Sequence, residues 1–471
     1  MMTNEKKRLG LLPLTILVVG GIIGSGIFSL PQNMAEGAGA GAILIAWGIT
    51  LCGMLTLTRA FQYLSLRFHQ QSDGLYGYVR QGFGDYIGFN AAWGYWISAW
   101  MACASYLIIL FSALGSFAPL TFFGDGTTLA SVICGLILMW VVHFFVLRGV
   151  YTAFLLNCVI TIAKIVPIAL FIVCIILAFK IETFRLDFWG TPKLGSVMTQ
   201  IKHTMLYTVW VYLGIESATV YSSRTKGIAT ISRATFLGFF ITSLLLMCVS
   251  ILSLGIIPQE ELAAMKNPSM ALVLERIVGH WGATLINVGL VVSVSGGLLS
   301  WLMLSAEMLW LAGRDAQHTV PACFGKLNRA GSPENALWVT TSCITVLILL
   351  AHFYESGYNT LIQLSTSMVL IPYLLAAVFV FKLARQDKQP LLMVVGTGGS
   401  VYGLWLIYAG GVSYLLLSMI LYAIGLGFYL RARKERGLSS FSYRHDKVYA
   451  LMISGLCLIA LFQFFILPAA S

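Results

Sequence analysis

The chain has 471 residues, of which 58% are hydrophobic and only 10% charged, against about 25% charged in a soluble domain. Such a composition implies a polytopic membrane protein, and with no hydrophilic stretch above about 30 residues it excludes a separate water-soluble catalytic domain. Nine cysteines occur singly, with no C-x-x-C pair or Cys/His cluster, and the net charge of +11 follows membrane topology rather than a nucleic-acid patch, so no metal, cofactor, disulfide framework or nucleic-acid partner is expected.

In chain order, MMTNEKKRLG precedes an apolar run without a small-residue cleavage site, which reads as a retained first helix rather than a signal peptide. A spanning helix needs about 20 mainly apolar residues. Thirteen segments qualify, near 11–36, 40–66, 86–117, 129–147, 151–179, 200–222, 235–257, 282–312, 335–353, 359–382, 391–409, 413–431 and 447–468. With a cytoplasmic N-terminus, 22 of the 29 basic residues fall on the inner side and six on the outer, while Lys164 lies within the fifth segment. This bias fits the positive-inside rule.

The first segment contains Gly20–Pro31, GGIIGSGIFSLP, with four glycines in seven residues. Each helical glycine costs roughly 1 kcal/mol against alanine, so the cluster predicts a broken helix. Broken backbone at membrane depth is tolerated where it lines a cavity; the same glycines also fit small-xxx-small packing. A second interruption falls in the sixth segment, where Trp210–Ser217 reads WVYLGIES with Gly214 and Glu216 inside the hydrophobic window. Breaks five segments apart, with Pro167 and Pro372 at comparable depths, suggest two inverted five-helix halves.

Ionisable residues inside a membrane are costly and often functional. Lys164 supplies a mid-helix ammonium that can act beside the first break or carry a proton. Glu216 can cap the second break or couple it to conformational change. Glu307 either pairs with an arginine at the inner mouth or serves transport, and His143 reads as structural. Trp210 and Trp301 lie too deep for an interfacial belt, and their ring faces suit a cationic group. The outer half of the first helix starts near Ser25, so the N–H groups of Ser25, Gly26 and Ile27 favour a carboxylate. Carbonyls freed at the end of the inner half and before Gly214 suit an α-ammonium. An α-amino acid carries both groups.

GIIGSGIFSLPQNMA, WVYLGIES and GRDAQHTVPACFGKLNRAGSPENALW resemble the amino acid–polyamine–organocation superfamily. The likeness runs from about residue 8 to 435 and is greatest to the basic amino acid/polyamine antiporters, in particular bacterial arginine/ornithine antiporters. It implies an all-α polytopic protein with a leucine-transporter-type inverted repeat of 5+5 helices, helices 1 and 6 broken, plus two or three C-terminal helices. Residues 1–435 form the transporter domain and 436–471 an extension with a thirteenth helix. The resemblance assigns substrate contacts to Ile23, Gly24, Ser25, Gly26, Ser98, Ala99, Cys103, Trp210, Ile215, Trp301 and Ser365. Gating and coupling fall to Tyr95, Lys164, Trp210, Glu216 and Tyr373. Departures lie at Gly21 and Cys103, each in place of a family asparagine, and at Val211 in place of a serine. Lys164 resembles the fifth-helix lysine of proton-coupled relatives.

These readings lead to the expectation of a multi-pass bacterial inner-membrane antiporter, exchanging arginine for ornithine by alternating access. Its expected partners are amino acids, the lipid bilayer and a second copy in a homodimer. The alternatives are exchange of another amino acid for its decarboxylation amine, or proton-coupled uptake. A membrane-embedded enzyme would need a catalytic pair or an H-E-x-x-H helix, which the sequence lacks. A third class is a channel or receptor, and neither would require substrate-dependent counterflow.

Overall fold

In a computed structural model of the chain, the residues described are 10–68, 74–149, 153–215, 228–314, 319–353 and 357–466; they contain helices and no strand. Helices are the expected solution, because hydrocarbon offers no water to satisfy backbone N–H and C=O groups. The first span is two helices, α1 (Leu11–Ile22) and α2 (Gly26–Ala35), bent by 47° at the break. There follow α3 (Ala40–Arg67), α4 (Gly74–Phe83), α5 (Asp85–Gly115), α6 (Leu129–Leu147), α7 (Ala153–Ala178), the short α8 (Ile181–Arg185) and α9 (Val197–Trp210). Next come α10 (Ile228–Ser253), the short α11 (Gln259–Ala263) and α12 (Ser269–Val278), and α13 (His280–Arg314). The chain then forms α14 (Glu334–Ala351), α15 (Gly357–Gln386), α16 (Pro390–Ala409), α17 (Gly411–Glu435) and α18 (Arg444–Leu461).

Among the described residues, ten helices are long and apolar enough to span a membrane, or eleven with the bent first pair. The fifth expected segment is α7, of which Lys164–Ala178 counts as a shorter apolar helix. The sixth enters α9 and continues past residue 215, beyond the described residues. The thirteenth segment, from Arg444 to Phe464, passes the same test of length and composition.

The helices divide into two compact units. The first holds residues 1–66, 106–135 and 152–298. Within it, polar side chains pair between apolar helices: Trp47 Nε1 donates to Ser250 Oγ (2.9 Å), and Thr50 Oγ1 to Thr208 Oγ1 (2.8 Å). The C-terminal end of α2 is tied down similarly. Gln259 Nε2 donates to the Ala35 carbonyl (2.6 Å), and Asn267 Nδ2 to Gln32 Oε1 and Asn33 Oδ1. Such bonds remove groups that would otherwise be buried unpaired, at about 1–3 kcal/mol each.

The second unit holds residues 67–105, 136–151 and 299–471. Trp96 Nε1 donates to Thr340 Oγ1 (2.9 Å), and Tyr422 Oη to the Met368 carbonyl (2.8 Å). At the start of α5, Asp85 accepts from Arg80 (3.2 Å), Arg433 (3.3 Å) and Ser442 (3.1 Å). Arg433 also donates to the Ser439 carbonyl, so this cluster fastens the connection between α17 and α18.

Candidate functional site

The first span breaks where its glycines predict. Ile23 still donates to the Val19 carbonyl (2.9 Å), but its own backbone is extended (φ −71°, ψ 100°). Helix resumes at Gly26. A helix start leaves its first N–H groups without intrahelical partners. Among the described residues no backbone acceptor meets the N–H groups of Ser25, Gly26 or Ile27. Ser25 is fully buried and its Oγ is unpaired as well. Three amide donors and a hydroxyl without a described partner thus sit together at the positive end of a helix dipole, a combination that suits a carboxylate.

The break also strands carbonyls. In an unbroken helix the Gly20 and Ile23 carbonyls would accept from residues 24 and 27. Here Lys164 Nζ, reaching across from α7, donates to both at 2.6 Å. The side chain is 5% exposed. A buried ammonium therefore satisfies two of the acceptors that helix α1 loses at its end.

Close approach explains why glycine occupies three of these positions. A Cβ on Gly20 would lie 2.3 Å from Thr161 Oγ1, one on Gly24 2.2 Å from Tyr106 Oη, and one on Gly26 2.8 Å from Trp210 Cδ1 and Nε1. The Trp210 ring thus rests on the turn itself and is 6% exposed. Helix α9 ends at this residue. Tyr212, Leu213 and Ile215 bond three residues back, to the carbonyls of Val209, Trp210 and Tyr212, and Gly214 adopts φ +101°, a conformation that glycine tolerates. The second break therefore begins four residues before the glycine that signals it.

Gly24, Ser25, Gly26, Lys164 and Trp210 come together in the first unit, with Ile23 and Ile215 buried on the same two breaks. The Ile23 carbonyl, expected to face the substrate ammonium, already accepts from Lys164. Ser98, Ala99, Cys103, Tyr95, Trp301, Ser365 and Tyr373 belong to the second unit. All of these but the half-buried Trp301 are buried. Ser98 and Ser365 satisfy one another: their hydroxyls are 3.1 Å apart and Ser365 Oγ donates to the Ser98 carbonyl (2.8 Å). Glu216 lies outside the described residues.

Two residues of this region carry no sequence-level signal as strong as a buried charge. Tyr106 and Thr161 fill the space beside Gly24 and Gly20. Tyr106 was reachable by spacing, since it continues the stripe 95, 99, 103 along α5; nothing marks Thr161. His143 is fully buried, meets Thr341 Oγ1 through Nδ1 (2.8 Å) and packs against Trp338. Glu307 is exposed on α13, within electrostatic reach of Arg314, whose guanidinium covers the Trp310 ring at 4.5 Å.

Residues 9–469 match the amino acid permease family. An arginine/ornithine antiporter of Pseudomonas aeruginosa is 45% identical over 96% of this chain and 96% of its own length. A putative arginine/ornithine antiporter of Escherichia coli K12 is 42% identical, covering 97% of this chain and 98% of that protein. An arginine/agmatine antiporter of Chlamydia pneumoniae is 40% identical, covering 98% of each.

Proposed function

From the premise that this chain belongs to the amino acid permease family, we propose that it exchanges arginine for ornithine across the bacterial inner membrane by alternating access. It is a multi-pass membrane transporter and not an enzyme. The observation that carries the substrate class is the paired break: amide donors and the Ser25 hydroxyl at the start of α2, with Trp210 lying on the turn. The α-carboxylate docks on those donors. Its α-ammonium meets carbonyls of the 211–215 turn, where those of Val211, Leu213 and Gly214 accept no described backbone donor, while Lys164 takes those of Gly20 and Ile23. The Trp210 face attracts the cationic substrate, an interaction of about 2 kcal/mol when desolvated. The relatives' names narrow the pair to arginine with ornithine or agmatine, and the greater identity favours ornithine.

The mechanism gives each group one task. The carboxylate dock recognises what arginine and ornithine share, and Lys164 keeps the broken span in its broken form. The family resemblance gives Glu216, the residue after the 211–215 turn, a coupling role, Tyr95 and Tyr373 gating roles, and Trp301, Ala99 and Cys103 contacts to the substrate side chain. The charge distribution, with 22 of 29 basic residues on one side, supports a cytoplasmic N-terminus.

Counterflow tests the proposal. Proteoliposomes loaded with unlabelled ornithine should accumulate labelled arginine, and empty ones should not. Loading with agmatine, putrescine or histidine should drive less accumulation. Uptake independent of the internal solute would mean a channel, and no counterflow with any loaded amino acid would refute antiport.

A further inference from the structure

The end of α6 and the turn leading into α14, both in the second unit, form a closed ledge. Asn328 Nδ2 donates to the Leu147 carbonyl (2.8 Å), Asn328 Oδ1 accepts from the N–H groups of Ala330 and Ser332 (2.9 Å each), and Ser332 Oγ donates to the Val146 carbonyl (2.6 Å). This ledge walls a groove of about 670 Å³ lined by Arg148, Arg329 and Glu334. Both arginines are exposed, and neither is ion-paired with a described residue. The Asn328 and Ser332 side chains are thus used within the turn, while its two guanidinium groups are exposed.

An apolar stripe runs from the groove along α6. Ile137, Val141 and Phe144 are 60%, 44% and 49% exposed, and with Arg148 they recur at intervals of four, three and four residues, one face of a helix. Beside the stripe, the Trp140 and Trp338 rings lie 5.4 Å apart, with Trp338 40% exposed. Tryptophans mark the level of lipid headgroups. A charged groove and an apolar stripe therefore follow one another in the order in which a lipid presents phosphate and acyl chain, with the tryptophan pair flanking the stripe.

We propose that this groove binds the headgroup of an anionic phospholipid, with Arg148 and Arg329 on the phosphodiester and the acyl chains along Ile137, Val141 and Phe144. Guanidinium groups match phosphate oxygens in bidentate geometry, and basic pockets between membrane helices hold such headgroups. Glu334, in the first turn of α14, leaves the groove a net charge of +1, which suits a monoanionic phosphodiester better than a dianionic phosphomonoester.

The test is native mass spectrometry of the purified full chain titrated with phosphatidylglycerol or phosphatidylcholine. Phosphatidylglycerol should remain bound at an activation energy that strips phosphatidylcholine, and millimolar inorganic phosphate should not displace it. The variant R148Q/R329Q should bind it roughly 30-fold more weakly, from about one unit of lipid attraction lost per arginine. Should the double variant fail to purify, R329Q alone, on an exposed turn, should bind roughly fivefold more weakly. Equal retention of both lipids, unchanged binding by the variants, or displacement by inorganic phosphate would overturn the proposal, the last by making the groove a site for soluble anions.

Discussion

Replacing Lys164 by methionine keeps the length of the side chain and removes its charge and donors. Two carbonyls, those of Gly20 and Ile23, then lose their partner at 2.6 Å. An unsatisfied buried carbonyl costs about 1–3 kcal/mol, so the gross loss is about 2–6 kcal/mol. Methionine also relieves the cost of burying an ammonium, which brings the net to about 3 kcal/mol, near the lower bound. That loss falls on the broken form of the first span, because only there are the two carbonyls released. It corresponds to roughly two orders of magnitude in the population of that form. Arginine at the same position keeps the charge, but its rigid fork replaces the compact ammonium that fits between two carbonyls, so it should rescue poorly. The assay is ornithine-driven arginine counterflow in proteoliposomes, alongside thermal unfolding of the detergent-purified protein. Exchange should fall about 100-fold in Lys164→Met, with unfolding at a lower temperature. Counterflow within twofold of the unsubstituted protein, with unchanged unfolding, would refute the reasoning and leave Lys164 a bystander.

Other outcomes follow from the same geometry. Gly26→Leu places a branched side chain where even a Cβ lies 2.8 Å from Trp210 and Val211; arginine binding by scintillation proximity should disappear, and normal binding would make the turn a packing feature. Trp210→Leu removes the aromatic face from the turn, so counterflow should drop to background, whereas a rate near that of the unsubstituted protein would rule out a gate at this position. Asp85→Asn weakens a cluster whose Arg433 side chain is 5% exposed. Breaking a buried pair costs up to about 3–5 kcal/mol, so limited proteolysis should cut the exposed 436–443 connection at least tenfold faster, and an unchanged rate would show that Asp85 does not hold it. If Lys164 carries a proton during exchange, a pH dye inside ornithine-loaded vesicles should report a change on adding arginine; a silent dye would exclude the proton-coupled alternative.

How much of this was legible in the sequence depends on whether the cause is local. The first break is visible because four glycines within seven residues act on their own helix, and the positions Gly24, Ser25 and Gly26 follow from that alone. Lys164 is visible as a charge in an apolar window. Its acceptors are not, because they are main-chain oxygens 144 and 141 positions away, and a carbonyl has no sequence signature. The second break is displaced for a related reason: Gly214 announces the turn by its positive φ, yet the helix has already ended at Trp210 through bonds three residues back. Ser98 and Ser365 are candidate substrate contacts through the family resemblance, but each finds the other first.

These displacements sharpen the mechanism. At the first break Lys164 already holds the Gly20 and Ile23 carbonyls, two of the acceptors that α1 could offer a substrate ammonium. On the proposed mechanism that ammonium turns to the second break. There, among the described residues, the carbonyls of Val211, Leu213 and Gly214 accept no backbone donor. Substrate then bridges two broken helices, carboxylate on one and ammonium on the other, with Trp210 between them on the Gly26 turn. A ligand lacking the carboxylate, such as an amine, would engage the second break alone. The prediction is that removing the dock with Gly26→Leu should cost arginine affinity far more than it costs agmatine affinity. Competition binding on the same preparation measures the ratio. Equal losses for the two ligands would place the carboxylate somewhere other than the start of α2.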